Sequence, residues 1–206
     1  MSLSLGRSMT LGRSILLFGP LLGVVALSGC ATLGQLRALE QVDFSIDRLS
    51  RIQLAGVDVT RVQAFSDLSL TDAAALASAV RNRELPLSLE IQVLAENPAD
   101  NLADARLLQL DWTLLLEDRE TVSGRVDQEI VLPRGEPTTF PVAVSLNLVE
   151  FFEGNARDLF NIAASLSGYG TESTDIELRA LPVVQTAFGP ISYPEPIRIV
   201  RTTVGR

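Results

Sequence analysis

The stretch LPLSLEIQVLAENP, residues 85–98, alternates apolar and polar side chains. Leu85, Leu87, Leu89, Ile91, Val93 and Ala95 fall on one face, and Ser88, Glu90 and Gln92 on the other. Successive side chains of a strand point to opposite sides, so this is a half-buried β-strand. Asn97-Pro98 closes it, because an Asn side chain caps a turn and Pro fixes φ without donating to a ladder.

The same period continues on the C-terminal side. Leu108, Leu110, Trp112, Leu114 and Leu116 share one face, with Gln109, Asp111 and Thr113 on the other. Glu117 to Glu120 reads as a polar hairpin turn. Val122, Gly124, Val126, Gln128, Ile130 and Leu132 follow as a further strand, with Gly124 permitting close packing or a bulge. Pro133 to Pro137 is a turn by its Pro and Gly content, and Phe140, Val142, Val144, Leu146 and Leu148 make the next strand. Four strands thus follow one another through short connections.

Towards the N-terminus, Val42–Leu49 and Ile52–Val62 are β-rich. Phe65–Leu70 leads into a helix expected at Thr71–Asn82, with Thr71 as cap and Ala75, Leu76, Ala79 and Val80 as the apolar stripe. A second helix is expected at Val149–Ala164, carrying Phe151, Phe152, Leu159, Phe160 and Ile162. Strands return at Ser165–Gly168, Thr174–Arg179 and Ile191–Val200, and Pro182, Pro190, Pro194 and Pro196 restrict that region to edges and turns. Seven or eight strands with one or two short helices predict an all-β antiparallel sandwich.

Residues 1–29 are of another kind. They hold Arg7 and Arg13, no acidic residue, and the apolar run Ile15–Leu27, which is too short to span a bilayer comfortably and is weakened by Gly19 and Pro20. The run ends in Leu27-Ser28-Gly29-Cys30, which resembles the lipobox of bacterial lipoproteins. Small residues let a peptidase grip extended backbone, and the thiol accepts a diacylglycerol. The expectation is a signal peptide at 1–29, cleavage between Gly29 and Cys30, and a lipidated tether at 30–41 ahead of a domain at 42–202. An ordinary secretory signal with a chance cysteine and a retained anchor helix are the alternatives, and Met9 is a second possible start. Ala31 stands where many Gram-negative lipoproteins retained at the inner membrane carry Asp, so outer-membrane sorting, facing the periplasm, is expected in a two-membrane host.

Of 206 residues, removal of 29 leaves 177, enough for one domain with a sizeable core. That portion has 15 Arg against 25 acidic residues, a net charge of −10, which makes nucleic acid an unsuitable partner. The chain has neither His nor Lys, and Cys30 is its only cysteine. Ser-His-Asp and Cys-His sets and lysine Schiff bases are therefore excluded, and a zinc site would need carboxylates alone.

The chain resembles the group 2 late embryogenesis abundant family, also called the WHy domain (water stress and hypersensitive response). The resemblance rests on Leu85–Ala95 ending in Asn97-Pro98, Leu107–Leu116 with Trp112, the Ser123-Gly124 step, Thr139–Leu148, and Gly189 to Pro194, and it covers about residues 44–200. It implies an immunoglobulin- or fibronectin type III-like β-sandwich without a known catalytic site, and an association with desiccation and stress tolerance. Relative to the family pattern, Thr71–Asn82 reads as an insertion.

Other chemistry is weaker. Glu117, Asp118 and Glu120 cluster in a turn and read as a solvated hairpin rather than an acid–base pair. Asp100 and Asp104 do not reproduce an EF-hand loop, though a surface calcium site is conceivable there. Gly168-Tyr169-Gly170 lacks the pattern of a phosphate loop and reads as a turn. Trp112 is expected in the core, and Phe151-Phe152 either in the core or as an apolar patch. The expected function is that of a non-enzymatic, cofactor-free lipoprotein of the cell envelope, held to a membrane through lipid on Cys30 and protective in desiccation or osmotic stress. The alternatives are a lipid-binding or lipid-carrying envelope protein, or an adaptor that docks an envelope partner protein.

Overall fold

In the computed structural model, which describes residues 37–168, 174–186 and 189–200, the alternating stretch lies at the heart of a four-stranded sheet. That sheet holds β1 (Asp43–Leu54), β2 (Val57–Asp58), β3 (Pro86–Glu96) and β7 (Pro137–Asn147), in the order β2-β1-β3-β7. The second sheet holds β4 (Ala105–Leu116), β5 (Arg119–Val126), β6 (Ile130–Leu132), β8 (Ile176–Thr186), β9 (Gly189–Ser192) and β10 (Ile197–Val200). Its order is β10-β8-β4-β5, with β6 on β4 and β9 on β8. All the pairings are antiparallel. Helices are few: α1 (Leu70–Arg81), α2 (Leu148–Phe151) and α3 (Ala156–Leu166), with a 3-10 turn at Phe65–Asp67 and a helical turn at residues 37–40. The all-β sandwich read from the sequence is thus the fold. The signal segment, Gly29 and Cys30 lie outside the described residues, as does most of Gly168-Tyr169-Gly170.

Both sheets bury one row per strand into a single apolar cluster. Leu87 to Ala95 on β3 and Phe140 to Leu146 on β7 meet Leu110, Trp112, Leu114 and Leu116 on β4 and Leu178 and Ala180 on β8. At roughly 1.5–3 kcal/mol for each large apolar side chain fully removed from water, this cluster is the main source of stability in a domain without disulfides.

Several local expectations are corrected. The β-rich run 42–49 and the first three residues of the run 52–62 belong to one strand, β1, whose bulges after Ile46 and Ser50 bring Ile46, Leu49, Ile52 and Leu54 inward with broken periodicity. Arg51 sits in the second bulge with φ 53°. The strand then turns at Ala55-Gly56, both with positive φ, and pairing stops at Asp58, whose carboxylate accepts the Thr60 N–H at 2.9 Å. On β4 a bulge between Leu107 and Gln109 resets the pattern, so Leu108 leaves the buried row and Ala105 and Leu107 join it. Residues 122–132 form two strands, not one, because β5 ends at Val126 and β6 begins at Ile130 on the same edge of β4.

The helices also differ. Ser69, not Thr71, caps α1, accepting from Asp72 N–H at 3.1 Å, and only Leu76 of the expected stripe is fully buried. The expected 149–164 helix ends at Phe151, with Phe152 extended, and restarts at Ala156 after the cap Asn155, whose side chain accepts from Arg157 N–H and Asp158 N–H while Asp158 caps in return. Residues 165–168 end α3 rather than forming a strand. The 191–200 strand is two, β9 and β10, split by Tyr193 to Pro196.

Pro182 stands inside β8, against the expectation of edges and turns. In an antiparallel strand the N–H and C=O of one residue point to the same side. The Pro182 carbonyl accepts Tyr193 N–H at 2.8 Å in the gap between β9 and β10, so the missing donor faces a place where no ladder partner is needed.

The register defines two ends. Asp43, Glu96 and Pro137 are level at one end, and Leu54, Leu87 and Leu146 near the other. The 11 residues of β3 separate them by about 35 Å. α1 fills the β2–β3 connection and α2 and α3 follow β7, so the helices gather at the second end. There Phe160 packs edge-on against Phe65 with ring centroids 5.6 Å apart. The N-terminal turn, with Ala38 and Leu39 buried, lies at the first end.

Candidate functional site

The segment after β3 builds a buried, hydrogen-bonded polar cluster. Asn97 and Asn101 are each 3% exposed. Asn97 Nδ2 donates to the carbonyls of Leu132 at 2.8 Å and Ala103 at 3.3 Å, while Gly135 N–H donates to the Asn97 carbonyl at 2.7 Å. Asn101 Nδ2 donates to Asn97 Oδ1 at 2.6 Å and to the Ala38 carbonyl at 2.8 Å, and its Oδ1 accepts Leu102 N–H at 2.7 Å. Pro98 opens the loop, and its carbonyl accepts Asn101 N–H at 3.1 Å. Two buried asparagines, through their side-chain amides and the Asn97 main-chain carbonyl, thus tie four segments together: 97–103, the end of β6, the turn at Gly135, and the chain just before β1. The arrangement is a clamp. Buried amides with nearly all donors and acceptors used have nothing left for a ligand.

Trp112 and Gly124 are cross-strand partners on β4 and β5. A Cβ on Gly124 would lie 2.4 Å from Trp112 Cζ2, so the glycine is the space in which the indole lies. Trp112 is 6% exposed, in agreement with a core role.

On the outer face of the second sheet a shallow groove passes over Asp111, Thr113, Ser123, Arg125 and Arg179. Its charges are matched to one another. Arg125 Nε donates to Asp111 at 2.5 Å, and Arg179 binds Glu120 at 2.8 Å and Glu177 at 2.9 Å. Arg198 Nε donates to Glu177 at 3.0 Å, and the Thr113 and Ser123 hydroxyls lie 2.8 Å apart. The Arg198 hydrogen bonds hold the Glu177 carboxyl below the ordinary carboxylate range; burial opposes them and Arg179 adds to them. This row fastens the short β10 to β8.

Of the residues marked by the sequence, Asn97 and Pro98 meet in the clamp and Trp112 and Gly124 in the core, and the two pairs serve different ends of the fold. Asn101, Ala38 and the Glu177 pairings were not foreseen; the Asn97-Pro98 step pointed to the loop, but not to the second amide four residues on. Glu117 and Asp118 form a two-residue turn, both with positive φ; the Glu117 carboxylate accepts Asp175 N–H at 2.9 Å, and Glu120, on β5, binds Arg179. Asp104 is taken by Arg134, whose N–H donates to it at 3.1 Å and lowers its pKa. No group of three His, Cys, Asp or Glu suited to a metal occurs among the described residues. Phe151 and Phe152 are half-buried against the core, with the Arg119 guanidinium 5.4 Å above the Phe152 ring.

No family model and no curated protein matches the chain. Among solved structures it is similar to a protein described as late embryogenesis abundant (LEA), with 14% identity, coverage of 86% of this chain and 82% of that one, and a TM-score of 0.36. It is also similar to a protein from Archaeoglobus fulgidus, with 14% identity, coverage of 55% and 81%, and a TM-score of 0.33. A third is a protein described as ApaA from Bordetella pertussis, with 12% identity, coverage of 79% and 96%, and a TM-score of 0.34.

Proposed function

We propose that this chain is a cell-envelope lipoprotein, cut before Cys30 and lipidated there, whose group 2 late embryogenesis abundant domain protects neighbouring envelope components in desiccation or osmotic stress without catalysis. The observation that carries the reading is Leu27-Ser28-Gly29-Cys30 directly after a short apolar run with a basic start. Several acyl chains, at about 0.8 kcal/mol per buried CH₂, make a stable anchor where one would be marginal. The want of His and Lys and the mutual pairing of the outer-face charges support a role that rests on the folded surface rather than on a reaction.

Metabolic labelling with alkynyl palmitate tests the anchor. The protein is expected to take the label and sediment with membranes, and Cys30→Ala to do neither; an unlabelled wild-type protein would refute it. Survival of drying by a deletion strain tests protection separately, and an unchanged survival curve would remove that role while leaving the anchor standing.

A further inference from the structure

The outer-face groove of the second sheet has its charges paired, whereas a groove at the helical end carries guanidiniums that are not. Between α1 and α3 runs an open groove of about 440 Å³, lined by Phe65, Ala77, Val80, Arg81, Ala156 and Arg157. Its four apolar residues are half-buried, and the two arginines are exposed. Arg81 is the last residue of α1, and Arg157 lies in the first turn of α3. Neither joins any of the ion pairs among the described residues. The Arg157 guanidinium lies over the Phe65 ring, 5.5 Å from its centroid, which holds the charge against the apolar wall.

We propose that this groove docks an amphipathic helical segment of a partner protein, apolar where it meets Phe65 and Val80 and bearing Asp or Glu opposite Arg81 and Arg157. The chemistry of the groove selects this occupant. An apolar floor takes side chains spaced three and four apart on a helix, and rim charges left without partners set orientation and association rate. An open channel suits a helix laid along it better than an acyl chain, which needs enclosure. In a chain of net charge −8, unpaired cations are the scarce charge. The groove lies at the end of the sandwich opposite Ala38, so if Cys30 holds the membrane it is turned outward. Only this orientation rests on the anchor; the selectivity does not.

The test uses the full chain in zwitterionic nanodiscs, with empty discs subtracted. It is titrated with a fluorescent helical peptide that carries Leu at i, i+3, i+4 and i+7 flanked by Glu, and with the same peptide carrying Lys for Glu. The Glu peptide is expected to bind at least about tenfold more tightly, and Arg81→Glu/Arg157→Glu to reverse the preference. A reversed preference cannot come from unfolding, and a circular dichroism melt of the variant verifies its fold. Equal affinity for both peptides, or binding of neither, overturns the proposal. So does displacement of the Glu peptide by oleate at matched concentration, or a self-associated dimer in sedimentation that the double substitution dissolves. None of these results alters the palmitate labelling, so the groove and the anchor fail independently.

Discussion

Gly124 is where a single atom is expected to disturb most. A methyl group there collides with the indole of Trp112, the only tryptophan in the chain. Gly124→Ala should cost about 1–3 kcal/mol and shift Trp fluorescence to the red, as measured by urea unfolding followed at the indole. An unchanged midpoint would mean that the ring finds other space. Asn101→Ala is expected to cost about 1–3 kcal/mol, since it strands the Asn97 amide oxygen and the Ala38 carbonyl in a buried site. Hydrogen exchange should then quicken around the clamp while the centre of β3 stays protected. At this scale the sequence marked Trp112, Gly124 and Asn97 individually. It could not pair them, because the partner of Trp112 is set by the register of β5, which shifts between Thr113 and Leu115, and the partner of Asn97 arrives on a loop without periodicity.

β3 and β7 were legible because an unbroken period of two survives wherever no bulge intervenes. β1 and the start of β4 were misread at their bulges, where one extra residue moves the following side chains to the other face. The helix at 149–164 was overrun because an apolar pattern carries on through the break at 152–155, where Phe152 turns extended and Asn155 caps the restart. Among the strands, β10 depends most on charge. The Glu177 carboxyl, held below its ordinary pKa of 4.5 mainly by Arg198, stabilises the fold above that value, and this contribution is lost as pH falls through the lowered one. Glu177→Gln should therefore cost about 1 kcal/mol at neutral pH, discounted because Arg198 is largely exposed, and flatten the acid limb of the stability curve. Chemical denaturation from pH 7 to pH 3 checks it; parallel curves for the two proteins would assign the acid limb elsewhere. α3 closes the far end through Phe160, which is fully buried. Phe160→Ala is expected to lose about 3–5 kcal/mol in thermal or urea melts.

For the whole molecule, the proposed lipidation of Cys30 makes Ala31 the residue that predicts the destination. In a two-membrane host the wild type should fractionate with the outer membrane on a sucrose gradient, and Ala31→Asp should move it to the inner one. Identical profiles would show that sorting does not read this position. The Asn101 clamp on Ala38 has a mechanical meaning as well. It fixes the chain at the start of β1, while the helices sit beyond the strand's other end, about 35 Å away. A load between a membrane at one end and a partner at the other would run lengthwise through β1. Its ladder with β3 would then be sheared as a block instead of being peeled one rung at a time, the geometry in which a short sheet resists rupture best.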